Sequence, residues 1–230
     1  MFEEIKRNLR KDTTVPAWGN WKSCSNDDFW RRIVEQVIVV GSSEPVKRFQ
    51  QRKDLQQHIS WERLCIMAGK EDVAKAISHV LREVGTRYAS RNIKKCRKTR
   101  ALTHNFIVLK TFAGGPKGVL KRVAGFDGAN GTMRKIRYFM KIFRFVQSKG
   151  ARDNLKELGL IRDAIALDVR IQTILHLAGV QVPRGLESNH KLYDEYESFL
   201  LNRLCKPLQM TGVEFDRMIY QNYDRIKQIL

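Results

Sequence analysis

Cysteine is sparse and scattered in this chain. Cys24, Cys65, Cys96 and Cys205 stand far apart, with no CxxC pair among them. That spacing excludes a zinc site and leaves the four as reduced thiols. No apolar run of about 18 residues occurs, so no membrane-spanning helix and no membrane partner are expected. The opening MFEEIKRNLRKD lacks the apolar centre of a secretory signal, and the expected location is the nucleoid-containing cytoplasm or the nucleus. Internal repeats, low-complexity tracts and convincing strand alternation are missing too. So are the strand-borne aromatic platform and the GXXG loop of common RNA-binding modules.

Acid is the other scarcity. Against 43 Lys and Arg the 230 residues carry 24 Asp and Glu, a formal charge of +19. From Arg82 to Lys149 there are 18 basic residues and two acids, Glu83 and Asp127, so this segment holds +16 of the total. The last forty residues are balanced. A basic segment beside a neutral remainder suits a protein that lies against a phosphate backbone. With 43% hydrophobic residues the chain is long enough for a substantial core.

Helical periodicity runs through nearly the whole sequence. Asn26 is read as the cap of a helix in which Phe29, Trp30, Ile33, Val34, Val37 and Ile38 share a face. Further helices are expected over Pro45 to Gln57, Trp61 to Met67, Lys70 to Val84 and Arg91 to Phe112. A short segment around Val119 to Val123 and the stretch GFDGANG precede a helix from Thr132 to Val146. Leu192 to Cys205 and Val213 to Tyr220 complete the pattern, the latter opened by a capping box of Thr211 and Glu214. The fold class is all-α, with about ten helices.

One stretch stands apart: KGARDNLKELGLIRDAIALDVR, from Lys149 to Arg170. It reads as a helix from Ala151 to Leu158 stopped by Gly159, a connector, and a second helix from Val169 to Ala178 capped by Asp168. Lys149 and Asp168 thus stand at the mouths of consecutive helices, 19 positions apart. A lysine is nucleophilic when neutral, and burial or the nearby cations Lys141, Arg144 and Arg152 would lower its pKa toward that state. A carboxylate at a helix N-terminus is favoured as the anion. An amine beside a fixed carboxylate is what cleavage of a glycosidic C–N bond requires: the anion steadies an oxocarbenium-like sugar while the amine attacks C1′. The plainer reading is a surface lysine and an ordinary cap.

The segment SKGARD…AIALDVRI resembles the active-site region of the helix-hairpin-helix DNA glycosylases, and among them the archaeal-type 8-oxoguanine DNA glycosylase/lyases. In that resemblance Lys149 falls on the Schiff-base lysine, Ala151 on a small packing residue and Asp168 on the catalytic aspartate. LREVGTRYASRNIKKC (81–96) is similar to the family's helix start, which places Arg87 near the arginine that enters the duplex by the unpaired base. The helix Phe29–Val40 and the loop Gly41-Ser42-Ser43 match the family's helix and wedge loop. The similarity spans residues 26 to 180. The departure lies in the hairpin, where Phe145 and Gln147 occupy the places of two glycines whose N–H groups approach a phosphate. Without glycine that turn is not expected to reach left-handed geometry cheaply. An iron–sulfur cluster is excluded, because Cys205 stands alone where four clustered cysteines are needed.

The resemblance implies a two-lobed fold with a cleft, one lobe from 1–44 plus 150–230 and the other from 45–149. It implies a monomer without cofactor or metal that excises an oxidised purine, 8-oxoguanine first, from double-stranded DNA and cleaves the strand by β-elimination. Candidate DNA contacts are Arg87, Ser42, Ser43, Lys94, Lys95, Arg144, Gln147, Ser148 and Arg170. In the tail segment FDRMIY and just after it, Phe215, Tyr220 and Tyr223 are candidates to stack on a flipped base, and Asp216 or Gln221 to read its edge. The competing readings are a non-catalytic helical DNA-binding protein and a glycosylase for another lesion.

Overall fold

The structure, a computed structural model, describes residues 1–67, 69–87, 89–90, 92–128 and 130–230. Tyr88 and Arg91 of the basic segment and Ala129 of GFDGANG lie outside the described residues. Among the described residues the fold is all-helical, as expected, without strands. In chain order the helices are α1 Phe2–Leu9, α2 Asn26–Ile38, α3 Glu44–Gln51, α4 Lys53–His58, α5 Trp61–Cys65, α6 Lys70–Glu83 and α7 Arg97–Thr111. They continue with α8 Gly115–Ala124, α9 Gly131–Ile142, α10 Ser148–Glu157, α11 Val169–Leu177, α12 His190–Leu200, α13 Gly212–Gln221 and α14 Tyr223–Ile229.

The chain divides into two compact units. One comprises 1–22, 127–136 and 147–230; the other comprises 23–126 and 137–146. In the first, Phe2, Ile5 and Leu9 of α1 join a buried cluster with Ile171, Ile174 and Leu175 of α11, Tyr193 and Leu200 of α12, and Phe215, Met218 and Ile219 of α13. In the second, Phe29 of α2 packs on Phe139 and Phe143, and Phe106 of α7 takes Trp30 and Trp61 on its ring. The indole N–H of Trp30 donates to Ile59 O at 2.7 Å.

This division departs from the expected one. Residues 23–44 join the central segment instead of the amino-terminal one, because the apolar face of α2 is spent on the aromatic core of that unit. Residues 127–136 join the first unit, where Lys135 Nζ donates to Leu160 O at 3.1 Å and stands over the ring of Trp18.

Helix boundaries shift for identifiable reasons. Ser25, not Asn26, caps α2, in a full capping box with Asp28. The helix expected over Pro45 to Gln57 breaks at Arg52, whose φ of −98° and ψ of 84° are not helical. The helix expected from Arg91 begins only at Arg97. Asn92 Oδ1 accepts from the N–H groups of Lys94 and Lys95 at 3.0 and 3.3 Å, and this side-chain turn takes the place of a first helical turn. The segment at Val119 to Val123 is the latter half of a full helix, α8. Helix α9 stops at Ile142, before the hairpin.

Candidate active site on the Lys149 helix

Helix α10 begins abruptly. Gln147 is extended, with φ −91° and ψ −175°, and Ser148 is the first helical residue. The helix ends where Gly159 turns left-handed, at φ +62°. A Cβ at Gly159 would lie 2.1 Å from Ala17 O, so both conformation and space demand glycine. Nine residues on, Asp168 caps α11 as read from the sequence, accepting from Ile171 N at 3.0 Å.

The connector between these helices, Ala164 to Leu167, is buried yet has no secondary structure. Buried backbone N–H groups need partners, and three buried side chains supply them. Glu197 Oε1 accepts from Ile165 N at 2.7 Å, Asp216 Oδ2 from Ala166 N at 2.7 Å, and Tyr193 Oη from Leu167 N at 2.7 Å. The Tyr193 hydroxyl in turn donates to Ile165 O at 3.0 Å.

Both carboxylates are held from below by cations of α10. Arg152, fully buried, makes a two-pronged pair with Glu197 at 2.8 and 2.5 Å and reaches Asp194 at 2.9 Å. Lys156 Nζ binds Asp216 at 2.5 Å and Asp153 at 3.0 Å. The helix that carries Lys149 and the connector that ends in Asp168 are therefore tied through one polar network. Charge-assisted, bidentate contacts of this kind fix geometry as well as adding energy.

Lys149 itself is half-exposed and forms an ion pair with Asp153, one turn along α10. Its electrostatics overturn the expectation of a lowered pKa. Burial pulls the ammonium down, but the Asp153 charge and hydrogen bond, with the charge of Asp168 adding to them, outweigh it and raise the pKa above the usual lysine value. Lys156 opposes this weakly. The expected cationic neighbours do not prevail: Arg152, three residues along α10 and fully buried, is neutralised by Glu197 and Asp194. Asp153 is lowered, since the two lysines beside it outweigh the effect of its burial. Asp216 goes the other way, its burial pushing it up to about 6 despite Lys156.

The sequence matches no protein-family model and no curated protein sequence. Solved structures do match. The 8-oxoguanine DNA glycosylase of Methanocaldococcus jannaschii superimposes with a TM-score of 0.63 at 16% identity, covering 97% of this chain and 91% of that one. The 8-oxoguanine DNA glycosylase of Thermotoga maritima gives 0.61 at 17% identity, covering 95% and 90%. The M. jannaschii 8-oxoguanine glycosylase/lyase in complex with a 15mer DNA containing 8-oxoguanine gives 0.60 at 14%, covering 99% and 92%. The fold is that of 8-oxoguanine DNA glycosylases.

Within this glycosylase fold the residues singled out from the sequence fall in both units. Lys149 and Asp168 share the first unit, near enough for Asp168 to act on the charge of Lys149. Gln147 is exposed ahead of α10. Ser148 is buried, and its hydroxyl meets His190 Nδ1 at 2.7 Å, so it faces α12 rather than an open surface. Arg170 is exposed on the first turn of α11 and stacks on Tyr220 at 4.6 Å and Tyr223 at 5.8 Å from the ring centroids.

In the second unit Arg87, Lys94 and Lys95 are exposed around the turn that follows α6, and Arg144 is exposed in the hairpin. Ser42 and Ser43 form the exposed loop after α2; Ser42 Oγ accepts from Glu44 N at 3.3 Å. Buried Lys98 fixes the base of that loop, donating to Ile38 O and Val40 O at 3.0 and 2.7 Å.

Two base-pocket candidates are corrected. Phe215 is fully buried against Phe2, with no ring face open to a base. Asp216 is committed to Lys156 and Ala166 and is 1% exposed. Both point inward because α13 uses that face for the core. Tyr220 is exposed beside Arg170, Tyr223 is half-buried against the core cluster, and Gln221 is tied to the backbone of Thr14 by two hydrogen bonds of 2.9 and 2.8 Å.

Sequence reasoning named Arg152 only as a cation near Lys149 and missed the joint part that Arg152, Asp153, Lys156 and Glu197 play in the site. A signal for three of them was present: Lys149, Arg152, Asp153 and Lys156 recur at three- and four-residue steps and so share one face of α10. Glu197 has no local signal, since its partners lie 32 and 45 positions away.

Proposed function

We propose that this protein is a DNA glycosylase that removes an oxidised purine, 8-oxoguanine first, and then acts as a lyase at the abasic site. The single observation that carries the reading is the placement of Lys149 on the first turn of α10 and Asp168 at the cap of α11, electrostatically coupled within one unit of a chain with the glycosylase fold. The net charge of +19 suits a polyanionic partner.

In this reading the damaged nucleotide is flipped out of the duplex. Lys149 loses its proton, and its Nζ forms a bond to C1′ as the C1′–N9 bond breaks; the electron pair and a proton leave with the base. Asp168 faces the positive charge that develops on the sugar. Ring opening gives a protonated imine between Lys149 and C1′. That imine acidifies C2′–H; loss of this proton expels the 3′ phosphate, and water then hydrolyses the imine and frees Lys149.

The test uses duplexes that each carry one lesion, scored for base release, strand cleavage and borohydride-trapped adduct. Trapping on 8-oxoguanine duplex, lost in Lys149→Gln, is the expected result. Salt-sensitive binding without lesion preference or adduct would instead identify a non-catalytic DNA-binding protein, and cleavage confined to another lesion would correct the substrate alone.

A further inference from the structure

The hairpin before Lys149 keeps a shape that its sequence disfavours. Phe145 stands at φ +62°, the left-handed region where an L side chain costs about 1–2 kcal/mol. The expectation that a turn without glycine would avoid this geometry is thus overturned. Several contacts in the same unit hold it. Asn105 of α7, fully buried, donates from Nδ2 to Arg144 O at 3.0 Å and accepts at Oδ1 from Arg144 N at 2.8 Å. Phe143 and Val146 on either side are buried, and the guanidinium of Arg97 lies 5.8 Å from the centroid of the Phe145 ring.

What this arrangement presents is not a bare backbone. Beside the turn lies a hollow of about 160 Å³ lined by Arg97, Arg100, Ala101, Arg144 and Phe145. Arg97 and Arg100 sit on the first turn of α7, Arg144 more than forty positions later in the hairpin, and all three are exposed. Convergence of residues so far apart distinguishes the hollow from a merely solvated helix face. Among the described residues none of the three is ion-paired to a carboxylate. Arg100 and Arg144 also line a larger neighbouring hollow, where Lys70 and Lys94 stand with one acid, Glu71, so the lining stays net basic.

We propose that Arg97, Arg100 and Arg144 form a guanidinium clamp for a DNA backbone phosphate, in place of hairpin amides left accessible by glycine. Guanidinium forks match phosphate oxygens in pairs, and three converging cations of one sign are relieved by an anion among them. Ala101 keeps the floor small. Asn105 holds Arg144 in position, and the Phe145 ring carries Arg97. The inference rests on the DNA-binding part of the proposed function and not on its chemistry.

The test is binding of the full chain to undamaged duplex as a function of salt. Each phosphate contact contributes about 0.9 to the slope of log K against log salt. Replacing Arg97, Arg100 and Arg144 together by Gln removes one phosphate contact and is expected to make the slope shallower by about one and to weaken low-salt binding at least tenfold. A control replaces Lys47, Lys53 and Lys75, which lie elsewhere in the same unit. Equal slopes for the two triple variants overturn the clamp, as does failure of the unaltered chain to bind duplex. Phe145→Gly, which opens the turn's amides, is expected to restore little binding to the arginine-free variant; full restoration also overturns the clamp. Normal borohydride trapping with an unchanged slope refutes the clamp alone, whereas an arginine-dependent slope without base release or trapping on any lesion refutes the glycosylase reading alone.

Discussion

Lys149 and Asp153 form an ion pair across one turn of α10, and Asp153 also binds Lys156 at 3.0 Å. The carboxylate thus stabilises the protonated form of the amine that the proposed chemistry needs neutral. Burial acts in the opposite sense and is outweighed. Lys149 is consequently a cation in the free protein, suited to meeting a polyanion before it acts as a nucleophile.

The first prediction follows from that balance. Asp153→Asn removes the largest influence that raises the Lys149 pKa, so the rise in imine trapping with increasing pH should move to lower pH. A rate profile of borohydride trapping on one lesion duplex measures it. An alkaline limb that stays in place would show that Asp153 does not set the lysine's protonation.

Arg152 offers a second. Its guanidinium is wholly buried and pairs with Glu197, which in turn accepts from Ile165 N. Arg152→Met strands a buried carboxylate, and breaking one side of a buried pair costs about 3–5 kcal/mol. Urea unfolding should show a lower midpoint with an unchanged slope. The double variant Arg152→Met with Glu197→Gln should recover part of the loss, since the amide oxygen can still accept from Ile165 N. A single variant as stable as the unaltered chain would contradict the role of this pair.

Much of this was legible in the sequence, and the parts that were not share a cause. The caps and stops around Lys149 and Asp168 are local chemistry: Gly159 is left-handed and Asp168 accepts from Ile171 N, as their types and positions suggest. Periodicity revealed the helices. It missed the non-helical break at Arg52 and the late start of α7 at Arg97, the latter decided by the single side chain of Asn92. It also could not reveal the partners of α10. Glu197 and Asp216 look like solvated charges on amphipathic helices, and only the tertiary fold brings them under a buried connector. Phe145 was misjudged for the same reason, because its left-handed turn is held through Arg144 by Asn105, which lies 39 positions before Arg144 in α7.

A third prediction concerns that hold. Asn105→Leu leaves the Arg144 N–H and C=O without their buried partner, at a cost of about 1–3 kcal/mol. Hydrogen exchange at Arg144 should quicken by one to two orders of magnitude at about 1.4 kcal/mol per tenfold, while amides in the middle of α7 keep their protection. Uniform loss of protection across the unit would instead make Asn105 a determinant of its global stability.

The fourth prediction separates two opposing pH effects. Burial raises Asp216 to about 6 from an ordinary carboxyl value of 3.8. A carboxyl whose pKa is higher in the folded state binds more protons folded than unfolded between those values. Its contribution is therefore fully present below pH 3.8 and lost as pH rises through 6. Asp153, which is lowered, acts in the other sense and loses its contribution as pH falls through its folded value. In Asp216→Asn the first effect is gone while Lys156 keeps Asp153 as a partner. Stability plotted against pH should then climb more steeply between about pH 4 and 6 than in the unaltered chain, measured by denaturant unfolding at closely spaced pH values. A slope that becomes shallower would mean that Asp216 is ionised throughout this range and that the Lys156 ammonium, not burial, governs it.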